Sequence, residues 1–317
     1  MEALWSRPLH ARPGTHAVAA EGGVLVVAER HSRLARLDPR SGEMLWEHRI
    51  ESRWGSAAVG GGHCLYVSQT GVLDCLDAHD GRPRWQLRMP AHQHHLTVGG
   101  DLAFVGGWRG YRPMTRIRLS DGTPVPGVVT SADVSRPVPV GSGALLFAAR
   151  DEPALYLVRS VDRADRWVVP APVDFPDAGD AFGDGVVFVC GRRTVMAFGP
   201  ERGVQALWRH DRDLPWCPPV LGGGTLWLAE DASVTVVDLV TGGRTVVTDL
   251  PRGAVCAGVA TPAGALLPRG DGHLVVVDRS GRICARVRVP APIDRLLPGD
   301  GDLVHVAGKG HLTTLGA

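Results

Sequence analysis

The chain has 317 residues, 44% of them apolar, and a formal charge of +1. That length can bury a large core, and the near-neutral balance excludes the strong basic pull of a nucleic-acid or membrane-surface binder. Apolar runs such as 24–28 and 186–190 end in Gly or charge after about five residues, far short of the roughly 20 that cross a bilayer as a helix.

The N-terminal segment EALWSRPL (2–9) reads as a lone strand. With Trp5 so close to Met1, no secretory leader is expected. From there the chain repeats itself. Trp5, Trp46, Trp85, Trp167 and Trp208 recur at intervals of about 40 residues or twice that. Each module reads as a strand, a Gly-rich turn, an apolar strand, a third strand, an acidic turn and a closing strand. The apolar strands are VLVVA (24–28), CLYVS (64–68), LAFVG (102–106), LLFAA (145–149), VVFVC (186–190), LWLAE (226–230), ALLP (265–268) and LVHVA (303–307), eight in all. Four strands per module make a propeller blade. The predicted fold is therefore all-β, an eight-bladed β-propeller of four-stranded antiparallel blades forming one domain over 1–317, with seven blades as the alternative. The stretch from Ile293 to Leu315 supplies only three strands, so EALWSRPL is expected to complete the last blade and remove its free edge.

The third strand and its turn read RLDPRSGEMLW (36–46), CLDAHDGRPRW (75–85), VVDLVTGG (236–243) and VVDRSGR (276–282). Asp can cap the turn amides, Gly can supply a left-handed residue, and Trp can pack the outer strand on the next blade. The pattern degrades in the third to fifth modules, where SDG, VDRAD and GPERG replace it. The motif resembles the pyrroloquinoline-quinone-like propeller repeat, and the resemblance runs the length of the chain. Quinoprotein dehydrogenases of that fold hold their cofactor with a metal ion, carboxylate and Asn ligands, and typically a disulfide between adjacent cysteines. This chain has no Asn and no adjacent cysteines, so no cofactor is expected. The resemblance also extends to a noncatalytic outer-membrane assembly lipoprotein, whose lipidated N-terminus is not expected here.

Six cysteines without the close spacing of a disulfide-rich module are expected to be thiols of a cytoplasmic protein. Cys64, Cys75, Cys190 and Cys284 fall in strands and read as core, whereas Cys217 and Cys256 share one module position in neighbouring blades. Lys309 is the only lysine, a compositional bias that gives the arginines no collective role.

In such a ring the connections between blades share an upper face with the loops between second and third strands. That face is predicted to carry charge and reach: Glu29, Arg30 and His31, then GWRGYR (107–112), then Arg150 to Glu152, Arg192 and Arg193, and Arg269, Asp271 and His273. Trp54, Trp108 and Trp216 break the tryptophan period and lie there with Tyr111. Around the axis, the starts of the innermost strands place His94, Arg136, Cys217, Cys256 and Arg295 in one layer and Asp177, Trp216 and Asp294 in the adjoining one. A water-lined channel or a ligand site in its mouth would be built from these. The segment HQHH (92–95) spaces His92 and His94 for chelation, but no third ligand stands beside them and no metal is expected.

Two functions follow. The first is a cytoplasmic binding or scaffold module, expected to be a monomer, that takes a protein partner or small ligand, with neither nucleic acid nor membrane as partner. Its contact residues would be Trp54, His92, Trp108, Arg109, Tyr111, Arg136, Trp216, Cys217, Cys256 and Arg295. The second is a cofactor-independent lyase, isomerase or cyclase in which His94 acts as acid or base and Asp177 or Asp294 orients it.

Overall fold

Tight hairpins begin the architecture. Gly61 and Gly62, at φ of 57° and 76°, turn the chain between Gly55–Gly60 and His63–Ser68 in a left-handed conformation that a Cβ would resist. The structure is a computed structural model and describes residues 1–9, 18–29, 33–51, 55–91, 95–106, 114–126, 137–140, 144–149, 152–159, 164–171, 173, 181–182, 185–214, 218–248, 250–253, 256–290, 292–308 and 310–316. Eight four-stranded antiparallel sheets cover 18–49, 55–88, 95–125, 138–168, 181–209, 220–247, 259–288 and, as the eighth, 293–316 with 2–8. These are blades one to eight, and the count settles against seven. Among the described residues there is no helix, so none is long and apolar enough to cross a membrane.

Blade eight closes as the sequence predicts. Glu2–Pro8 lies antiparallel on His311–Gly316, from Glu2 opposite Gly316 to Pro8 opposite His311, and the Ser6 and Thr313 hydroxyls meet at 2.9 Å. The first strand of the chain thereby covers the backbone groups its last strand would leave unpaired. A buried charge pair reinforces the joint. Glu29 of blade one has a fully buried side chain and accepts from Arg7 Nη2 at 2.9 Å and Arg33 Nε at 2.8 Å.

The core is a series of slabs between blades rather than one central mass. Cys64 and Tyr66 pack toward blade one, against Val26, Ala28 and Leu34, while Leu65 and Val67 pack toward blade three, against Leu96, Ala103 and Val105. Alternate side chains of one strand feed two slabs, which is why the second strands read as unbroken apolar runs. Burial holds the Cys75 thiol up at about 12, and Cys64 moves in the same direction for the same reason. Cys284 does not share this setting. It lies on the outermost strand Ile283–Arg288, whose side chains alternate between exposed and half-buried, and it is exposed, contrary to the core reading.

Tryptophans lock blade eight to one, one to two and two to three. Trp5, Trp46 and Trp85 donate through Nε1 to the carbonyls of Pro39, Ala78 and Leu119 at 2.9, 3.2 and 2.7 Å, each in the turn of the following blade. Aspartates shape those turns: Asp38 Oδ1 accepts from the amides of Arg40 and Ser41 at 2.9 and 2.7 Å. In Asp77 the Arg84 guanidinium and turn amides hold the carboxyl down at about 2. The degraded third module keeps the same backbone. Gly122 N donates to Arg118 O at 2.9 Å as Gly42 N does to Asp38 O at 2.8 Å, and Asp121 takes over the capping by accepting from Thr123 N.

Candidate functional site

Eight innermost strands face the axis, and their last residues before the hairpin turns form one ring. These are Glu21, Gly60, Gly99, Val140, Phe182, Gly222, Thr261 and Pro298. Glu21 is the only ionisable residue among them. Its carboxylate lies over Gly60, where a Cβ would stand 3.3 Å from Glu21 Oε2 and 2.6 Å from Val98 Cγ1. Burial among these apolar neighbours raises the Glu21 carboxyl above its ordinary range.

Strands from blades eight, one, two, three and four enclose an axial cavity of about 150 Å³. Its walls are small and apolar, from Ala20, Ala57, Ala58, Val98 and Pro139, with Glu21 and Arg295 as its charged members. Thr97 also lines it, but its hydroxyl donates to Pro137 O at 3.0 Å and ties blade three to blade four. Arg295 Nη1 donates to Val18 O at 3.5 Å, across the seam between blades eight and one.

Of the residues the sequence singles out, Asp294, Arg295 and Cys256 are described, and they do not converge. Arg295 lines the cavity. Asp294 is half-buried and occupies a register shift between Ile293 and Arg295. Cys256 packs against the apolar slab between blades seven and eight, beside Val259 and Val289. Trp54, His92, His94, Trp108, Arg109, Tyr111, Arg136, Asp177, Trp216 and Cys217 lie outside the described residues. Among the described residues no group of three His, Cys, Asp or Glu could hold a metal ion. Glu21 is the member that sequence reasoning missed. The signal was present, because an acid stands where the other seven modules place Gly, Val, Phe, Thr or Pro.

Two residues expected to reach from the upper face are internal instead. Glu29 is bound to Arg7 and Arg33 as described above. Arg269 is 0% exposed and donates to the carbonyls of Pro251 at 2.6 Å, Glu230 at 3.1 Å and Asp231, clamping blade seven to the loop of blade six. A guanidinium with five donors can satisfy several inward carbonyls at once, which turns a loop arginine into a structural bolt. The face nevertheless keeps exposed charge, as in Arg193, whose Nε donates to Asp213 Oδ1 at 2.7 Å.

The fold defines the class: an eight-bladed β-propeller of four-stranded antiparallel blades. A family model described as outer membrane protein assembly factor BamB matches residues 2–111. No curated protein matches the chain. Among solved structures, the chain is similar to BamB from Moraxella catarrhalis at 13% identity, with 99% of each chain covered and a TM-score of 0.70. The computationally designed Ika8 protein is similar at 13% identity over 100% of both chains with a TM-score of 0.72, and Saccharomyces cerevisiae Sqt1 at 10% identity over 100% of both with 0.70. At these identities the likeness is one of fold.

Proposed function

We propose that the protein is a cytoplasmic binding scaffold that presents its upper face to a protein partner. The observation that carries the reading is the inequality of the two faces. Below, hairpins such as Gly61-Gly62 and Asp-capped turns such as 38–42 are short and spent on their own hydrogen bonds. Above, blades are joined by the stretches 126–137, 169–180, 210–219 and 248–258, long connections on a rigid ring, where binding residues concentrate. The sequence pattern assigns Trp108, Arg109 and Tyr111, residue types suited to partner anchors, to a connection expected on the same face. Similarity of residues 2–111 to an assembly factor supports a noncatalytic partner role. The thiols of Cys64, Cys75 and Cys190, buried and unbridged, suit a reducing compartment.

The test is affinity capture with the tagged full chain from its native host, beside Trp108→Ala/Arg109→Ala above and Arg82→Ala/Arg279→Ala below. A partner retained by the lower-face variant and lost by the upper-face variant is expected. Equal capture by both variants removes the assigned face.

A further inference from the structure

We propose that the lower mouth of the axial cavity binds a primary alkylammonium ion, its charged head on the Glu21 carboxylate and its short carbon chain on the apolar wall behind. The inference goes beyond the partner-binding reading and rests on different residues. Either can fail without the other.

Glu21 ends the innermost strand Val18–Glu21, at the hairpin turn into blade one's second strand. It reaches solvent, yet it makes no hydrogen bond or ion pair with any described residue. Burial is the one cause that moves its carboxyl upward, and no neighbouring cation draws it back. Arg295, the other charged residue of the cavity, donates to the Val18 carbonyl and has no part in the proposed site. A carboxylate placed as Glu21 is gives up hydration without gaining a partner, and a cation brought to it supplies one.

The surroundings decide which cation fits. The wall beside Glu21 is Ala20, Ala57, Ala58, Val98 and Pro139, and the Thr97 hydroxyl is already committed to the Pro137 carbonyl. Such a surface takes methylene groups, since a polar group there would lose water without a partner. Head and tail positions adjoin, because one point above Gly60 lies 3.3 Å from Glu21 Oε2 and 2.6 Å from Val98 Cγ1. A side chain on residue 60 would fill that junction, and glycine leaves it open. Among the described lining residues there is no aromatic ring, so a quaternary ammonium would lack the faces that hold it. A primary ammonium instead donates a charge-assisted hydrogen bond to the carboxylate and turns its remaining donors to the water of the mouth.

Size sets the remaining limit. The cavity has a volume of about 150 Å³. A space of that order elsewhere holds benzene, which restricts the chain to about four to six carbons. The lysine side chain is itself an ammonium on a four-carbon stem, so the same chemistry can arrive as a free amine or as a lysine of a polypeptide.

The experiment is calorimetric titration of the full chain at neutral pH with butylamine, methylamine, butanol and Nα-acetyl-lysine methylamide. Each methylene buried is worth about fourfold in affinity. Butylamine is therefore expected to bind at least tenfold more tightly than methylamine, and at least tenfold more tightly than butanol, which has the chain without the charge. Glu21→Gln should weaken butylamine tenfold or more and leave butanol unchanged, and thermal unfolding checks that its ring is intact. The ligand series on the unaltered chain tests the site without any variant. A lysine derivative that binds more tightly than butylamine supports the site with a polypeptide as the source, and the reverse order supports it with a free amine. No binding of butylamine, affinity no better than that of methylamine or butanol, or undiminished binding by Glu21→Gln overturns the proposal.

Discussion

The ring of Trp46 lies so close over Gly81 that a Cβ on the glycine would stand 2.8 Å from the indole Cδ2. Gly81 is also left-handed, at φ of 74°. One residue thus meets two demands, a turn that only glycine adopts without strain and a flat seat for the neighbouring blade's tryptophan. Gly42 under Trp5 and Gly122 under Trp85 repeat the relation at the same 2.8 Å.

Gly81→Ala is therefore expected to cost about 2–3 kcal/mol, combining left-handed strain with a clash against the ring. Urea denaturation of the single variant and of the Trp46→Leu/Gly81→Ala pair separates the two. With the indole gone, the alanine should cost only about 1 kcal/mol, the strain that remains. An equal cost in both backgrounds would mean that the ring yields freely.

The repeat was legible because this contact demands both partners, and where one is missing the sequence fades for a structural reason. Ala285 stands opposite Val276 in blade seven, where Trp85 stands opposite Cys75 in blade two. Blade eight offers it no turn to rest on, since its last two strands are the two ends of the chain. In blade six Thr245 fills the position, its Cγ2 lying 2.7 Å from where a Gly281 Cβ would be. Burial was less legible than repetition. Glu29 and Arg269 look like loop charges in the sequence, and only the approach of Arg7, or of the Glu230 and Asp231 carbonyls, turns them inward. Glu21 is visible as an outlier only after the hairpin registers are aligned.

Arg269→Lys should be far from conservative. An ammonium cannot reach the carbonyls of Pro251, Glu230 and Asp231 together, and its charge would stay buried with fewer partners. A loss on the order of 3 kcal/mol is expected. Hydrogen exchange should localise it, through faster exchange at Gly253 and Gly270, whose amides bond to the Asp231 and Gly253 carbonyls beside the clamp. Stability within a few tenths of wild type would show that the guanidinium contacts are dispensable.

The closing blade carries an acid-sensitive group. His305 is 1% exposed, its Nδ1 is 2.8 Å from Thr314 Oγ1, and Thr314 is paired in turn with Trp5 of the N-terminal strand. Burial pushes the imidazole down to about 4, from an ordinary value of 6.5. Above pH 6.5 both folded and unfolded chains hold it neutral, and it contributes no pH dependence. As the pH falls below that, the unfolded chain takes up the proton first, so stability declines until about pH 4, where the folded form protonates too. The loss across this window is on the order of 3 kcal/mol. Carboxylates also titrate toward the acid end, so the measurement is a difference: denaturation of wild type and His305→Gln at pH 7 and pH 4.5. The variant should lose less stability on acidification than the wild type, and the excess lost by the wild type should be accompanied by faster proteolysis at the Glu2–Pro8 strand as its sheet loosens. Parallel pH profiles would show that His305 is not the group that makes the seam acid-sensitive.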